Sequence, residues 1–153
     1  GGFRNRITPE SFIQEDFGNG IIRAPKDTLI DGMSVLTFAI SRPPKSIQQM
    51  IDDYNIDVNT NIDYFLIHQA NKLIVDRVVK KLKLPTEKVP YDLEEFGNLG
   101  GASIPSLMVT RIAEPMRNNQ PIKMLCSSFG LGLSWGTMLI TANNVIIPEL
   151  IEI

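Results

Sequence analysis

Ile62-Asp63-Tyr64-Phe65-Leu66-Ile67-His68-Gln69-Ala70-Asn71 is the stretch whose reading decides the fold. Its first six residues, apolar but for Asp63, make a short run that predicts a strand buried from both sides and ending at His68. Directly after it, residues 69–84 place Ile74, Val75, Val78, Val79 and Leu82 on one stripe. Lys72, Asp76 and Lys80 fall at i, i+4 spacing on the other side, so this segment predicts an amphipathic helix with a solvated face, ended by Pro85.

Toward the N-terminus, residues 33–40 are apolar on both alternating faces and predict another buried strand. Pro43-Pro44 suits a helix start, and Ile47, Met50, Ile51 and Tyr54 follow at i, i+3, i+4, i+7. Residues 1–32 have weak periodicity and turn signals at Gly18-Asn19-Gly20 and Asp31-Gly32, so they read as irregular or partly helical. Toward the C-terminus, a brief strand over 88–91 leads into the glycine-rich Phe96-Gly97-Asn98-Leu99-Gly100-Gly101. Ser103 is a candidate N-cap for a helix carrying Ile104, Leu107, Met108 and Ile112, and Pro115 predicts a kink or an early end. Strands over 122–129 and 133–141, joined at Gly130-Leu131-Gly132, predict a tight hairpin.

Strand and helix alternation of this kind predicts an α/β fold, with a mixed five-stranded sheet layered between helices and a C-terminal antiparallel hairpin. The expected organisation is an irregular N-terminal segment over 1–32, one domain over 33–142, and an apolar extension over 143–153. A chain of 153 residues is long enough for one real core. Its formal charge of −2 argues against general nucleic-acid binding, and its apolar runs are too short to cross a bilayer. The single cysteine, Cys126, can form no internal disulfide, which fits a reducing, cytoplasmic setting. The start at Gly1-Gly2-Phe3 suggests a fragment or a trimmed end. No metal site or cofactor is expected, because ligands are too few and neither phosphate-loop nor dinucleotide-binding spacing is present.

His68, the only histidine, stands at the carboxyl end of a strand, where open α/β sheets bind ligands. Taken alone, a lone histidine in such a place more often merely satisfies a helix end. Asn98 offers a side-chain amide on a loop whose glycines let backbone pass close to a ligand, although a plain turn would look the same. Cys126 lies inside a strand, which favours a buried core thiol over a nucleophile.

Taken together, three segments resemble the β-ketoacyl-acyl carrier protein synthase III family of the thiolase-like superfamily, in the family's order. His68-Gln69-Ala70-Asn71 is similar to its histidine motif, and residues 97–105 from Gly97-Asn98 to Ile104-Pro105 to its asparagine motif. Phe129-Gly130-Leu131-Gly132-Leu133-Ser134-Trp135-Gly136 is similar to its terminal hairpin, and the resemblance spans residues 31–141.

The resemblance implies the C-terminal half of an acyltransferase of fatty acid or related lipid metabolism. That enzyme would perform a decarboxylative Claisen condensation between an acyl thioester, delivered from acyl-coenzyme A, and malonyl-acyl carrier protein. His68 and Asn98 would be catalytic, donating hydrogen bonds to the malonyl thioester oxygen as it becomes an enolate. Asn71, Phe129 and Gly130 would bind substrate, with Phe129 as an apolar wall favouring loss of carbon dioxide. Gln69, Ala70, Asn71, Lys72 and Leu73 would contact the acidic carrier protein. The nucleophilic cysteine would lie in a missing N-terminal half, the full-length protein would be a homodimer, and this chain alone would be inactive. Leu73 stands where the family usually has arginine, leaving Lys72 as the nearby cation, and Leu99-Gly100-Gly101 also depart from the pattern. These departures mark a divergent branch. Two other readings are a non-catalytic pocket or assembly module, and a small hydrolase using Cys126 with His68.

Overall fold

The computed structural model describes residues 6–27, 31–118, 120–130 and 132–151. Parts of the 1–32 and 143–153 segments, and Leu131 in the hairpin turn, therefore lie outside the described residues. After a 3₁₀ turn at Pro9–Phe12 comes a short antiparallel ribbon, β1 (Glu15–Asp16) and β2 (Ile22–Arg23), closed at Gly18-Asn19-Gly20. Helices α1 (Gly32–Ala39) and α2 (Arg42–Asp53) follow, then β3 (Tyr64–Ile67) and α3 (Lys72–Leu82). A single helical turn, α4 (Leu93–Phe96), precedes α5 (Ser103–Thr110) and α6 (Ala113–Arg117). Strands β4 (Ile122–Gly130) and β5 (Ser134–Ala142) end the fold.

The main sheet has the order β3-β4-β5, with β3 parallel to β4 and β4 antiparallel to β5. Period-2 alternation divides its side chains between two cores. Phe65 and Ile67 of β3, with Leu125 and Phe129 of β4, pack against Phe38, Ile47, Ile74 and Val78 from α1, α2 and α3. Leu66, Met124 and Cys126 turn to the opposite face, where Leu107 of α5 and Met116 of α6 cover them. The class is the expected one, an α/β sheet between helices with an antiparallel hairpin at its edge.

The main sheet is smaller than expected: among the described residues it has three strands rather than five, and β1 and β2 pair apart from it. Residues 33–40 form α1, because Asp31 caps a helix there, its Oδ1 accepting from the Met33 and Ser34 amides at 3.1 Å each. Alternating apolarity is ambiguous when Phe38 and Ala39 are buried and Val35 and Leu36 half-buried along one helical stripe. Over 88–91 the chain makes a 3₁₀ turn, Thr86–Lys88, and then runs on unpaired. Pro90 has no amide to give a ladder, and Lys88 instead donates to the Asn59 and Ile62 carbonyls at 2.6 Å each.

Pro115 acts as expected. A proline there would clash with the carbonyl four residues back in a continuous helix, so α5 stops at Thr110 and Pro115 enters the first turn of α6. In the hairpin, Gly132 has φ +141°, and a Cβ would lie 3.0 Å from the Ser134 amide. Among the described residues no helix is long and apolar enough to cross a membrane, and no cluster of histidine, cysteine and carboxylates could hold a metal ion.

Candidate active site

Because β3 and β4 run in parallel, both reach the same edge of the sheet with Ile67 beside Ser127. His68 follows at once, its amide donating to the Ser127 carbonyl at 2.9 Å. The imidazole is 6% exposed and meets the Phe129 ring edge-on at 4.9 Å, and its Nδ1 has no hydrogen-bond partner. Burial lowers the His68 pKa below its usual 6.5, since the imidazolium would lose hydration without gaining an acceptor. The ring is therefore neutral at pH 7.

A stability effect follows from that shift. Between the lowered folded value and 6.5 the unfolded chain binds more protons than the native one, so unfolding free energy falls as pH falls through this window. The urea midpoint is expected to drop between pH 7.5 and pH 5.5, and His68→Gln to flatten that part of the profile. Asp27, Asp31 and Asp57 are held below their usual 3.8 mainly by hydrogen bonds, so their losses come only at lower pH.

Asn98 sits on a separate, exposed loop between α4 and α5. Gly97, at φ +67°, turns the chain out of α4, and the Asn98 carbonyl oxygen accepts the Gly100 amide at 3.0 Å. That bond fixes which end of the amide is committed, leaving its NH₂ as the available donor. Among the described residues no hydrogen bond joins Asn98 to His68. Among the described residues, one concavity is lined by Met33, Phe38 and Arg42 among others, and another by Tyr64 and Ile122 among others. Neither is lined by His68 or Asn98.

The remaining candidates divide by position. Phe129 packs directly on His68, and Gly130 ends β4 exposed beside it. Asn71 caps α3, its oxygen accepting the Ile74 amide at 2.9 Å, a role that contributes about 1 kcal/mol in typical helices. Gln69 is fully buried and donates to the Ile67 carbonyl at 2.8 Å, so its side chain presents nothing to a docking protein. Ala70 is half-buried, whereas Lys72 and Leu73 are exposed. Lys72 pairs with Glu94 at 3.3 Å and lies over the Tyr91 ring, so its charge is partly answered within the chain. Cys126 faces the opposite core from Phe129, and burial pushes its thiol up to about 11, which removes the hydrolase reading.

Sequence reasoning missed two parts of this edge. Phe38 stands edge-on to both Phe129 and Trp135, at 6.0 and 5.5 Å. Its Asp31 cap was the available signal. Asp92, 1% exposed, ties the Asn98 loop to α5 through Ser106 and Thr110, and that i, i+4 hydroxyl pair on an otherwise apolar helix was the visible hint.

A parallel strand pair with an antiparallel edge strand, layered between helices and carrying polar loops at its carboxyl edge, is the half-fold of thiolase-like proteins. The chain belongs to the family described as 3-oxoacyl-[acyl-carrier-protein (ACP)] synthase III C terminal, whose model matches residues 53–142. The β-ketoacyl-[acyl-carrier-protein] synthase III of Streptococcus pneumoniae strain Hungary19A-6 is 41% identical over 115 residues, 73% of this chain and 35% of the relative. The chain thus spans about a third of the length of the curated relatives it matches. Among solved structures, a 3-oxoacyl-(acyl-carrier protein) synthase from Burkholderia xenovorans LB400 matches with TM-score 0.76 and 29% identity, over 83% of this chain and 36% of that one. The 3-oxoacyl-(acyl carrier protein) synthase III of Pseudomonas aeruginosa PAO1 matches with TM-score 0.67 and 27% identity, over 81% and 38%.

Proposed function

We propose that this chain supplies the C-terminal half of a condensing acyltransferase that joins an acyl thioester to malonyl-acyl carrier protein with loss of carbon dioxide. The observation that carries the reading is His68, a neutral imidazole at the carboxyl edge of β3 packed against Phe129. A neutral ring with its proton on Nε2 can donate to an oxygen that gathers charge as the malonyl group becomes an enolate. The Asn98 NH₂, kept free by the Gly100 bond, is the second donor. Phe129 offers the apolar wall that favours neutral carbon dioxide over carboxylate. Gly130 and Asn71 border the substrate, and Ala70, Asn71, Lys72 and Leu73 form the face for the carrier protein.

The nucleophilic cysteine comes from the part of the relatives that this chain does not span, as does the wall that closes a pocket over His68 and Asn98. The assembled enzyme is a cytoplasmic homodimer that takes its acyl group from coenzyme A. To test the reading, the chain is co-expressed with the N-terminal portion of the pneumococcal relative and assayed with acyl-coenzyme A and malonyl-acyl carrier protein. The pair is expected to turn over, and the chain alone to form no product. Turnover by the chain alone overturns the assignment of the nucleophile. An inactive pair, where the relative's own two portions recombine into active enzyme, overturns the function.

A further inference from the structure

We infer that Asp92 is a positioning residue for Asn98, a buried tether that fixes the loop between α4 and α5. The inference deepens the reading of Asn98 as a donor and rests on it for its catalytic meaning. Three observations carry it. First, Asp92 is 1% exposed and forms no ion pair among the described residues, an expensive setting for a carboxylate unless hydrogen bonds hold it. Second, its Oδ2 accepts from Ser106 Oγ at 2.6 Å and from Thr110 Oγ1 at 3.2 Å, two hydroxyls on successive turns of α5. Thr110 shares its one proton with the Ser106 carbonyl at 2.8 Å, so the Ser106 bond is the firmer tie. Third, the Asp92 carbonyl accepts the Glu95 and Phe96 amides, so the same residue starts α4.

One residue thereby fixes where the loop leaves α4 relative to where it enters α5. Arg111 adds a second strap, its Nε donating to the Tyr91 carbonyl at 2.7 Å and its guanidinium pairing with Glu95. Between these anchors the loop holds itself by the Gly97, Gly100 and Ala102 amides, bonded to Leu93, Asn98 and Leu99. An oxyanion donor needs such support because its placement must be set before charge develops.

The test is amide hydrogen exchange on the ¹⁵N-labelled chain, together with the Asn98 side-chain NH₂ resonances. Asp92→Ala is expected to speed exchange at Gly97, Gly100 and Ala102 by about tenfold or more, with β3 and β4 amides unchanged, and to shift the Asn98 NH₂ signals. Asp92→Asn keeps an acceptor for Ser106 and is expected to restore rates to within about twofold of the parent. Should Asp92→Ala not fold, Ser106→Ala is expected to loosen the same three amides by about threefold. Unchanged loop exchange, or equal loosening through β3, α3 and α5, overturns the inference, as does failure of Asp92→Asn to restore the loop. These rates do not depend on condensation, so an Asn98 variant with full turnover would remove the function reading while leaving the tether in place.

Discussion

His68→Ala is expected to lower turnover of the assembled enzyme by about a hundredfold, and Asn98→Ala by a similar factor. In the proposed mechanism each change removes one donor to an oxygen that becomes negative only on the way to the enolate, so the loss is expected on kcat rather than on binding of the acyl donor. With both donors proposed to serve one oxygen, the double variant is expected to lose less than the product of the two single losses. Initial rates at saturating acyl-coenzyme A and malonyl-acyl carrier protein measure it. A kcat within about twofold of the parent for either variant contradicts the assignment of that residue. Asn98 is exposed, so its replacement leaves the core intact and the effect reads on chemistry.

Phe65→Ala is expected to destabilise the chain by about 3–5 kcal/mol, a large share of the roughly 5–15 kcal/mol that typically holds a domain folded. Phe65 is fully buried at the middle of β3, in the same core as Phe38, Ile47, Ile74 and Leu125. Removing the ring leaves a cavity that a sheet pinned by its ladder cannot close. Tyr54→Ala makes the comparison, since Tyr54 is 66% exposed and its loss is expected to cost no more than about 0.5 kcal/mol. Urea unfolding followed by circular dichroism separates the two. A Phe65→Ala midpoint close to that of Tyr54→Ala would mean that β3 does not seat the core as described.

What the sequence made legible follows the strength of local signals. The run over 62–67 and the stripe of Ile74, Val75 and Val78 made β3 and α3 legible because a short apolar run passes directly into a 3.6-residue stripe. The long strands β4 and β5 were legible as two apolar segments joined at glycines, Pro43-Pro44 marked a helix start, and Pro115 marked an early helix end. Residues 33–40 were not, since a helix covered on one stripe and a strand buried on both faces share an apolar composition. The Asp31 cap and the packing of Phe38 against Phe129 decide between them. His68 and Asn98 were legible as family motifs. Their supports were not, because the Asp92 bonds reach 14 and 18 positions along the chain, and the i, i+4 spacing of Ser106 and Thr110 does not say which distant side chain it serves.

The most direct measurement is a crystal structure of the chain assembled with the N-terminal portion of the pneumococcal relative and bound to a non-decarboxylating malonyl thioester analogue. The account predicts His68 Nε2 and Asn98 Nδ2 both about 3 Å from the analogue's thioester oxygen, with the Phe129 ring beside its carboxylate. Side chains directed into separate regions, with the oxygen held by other groups, would contradict it.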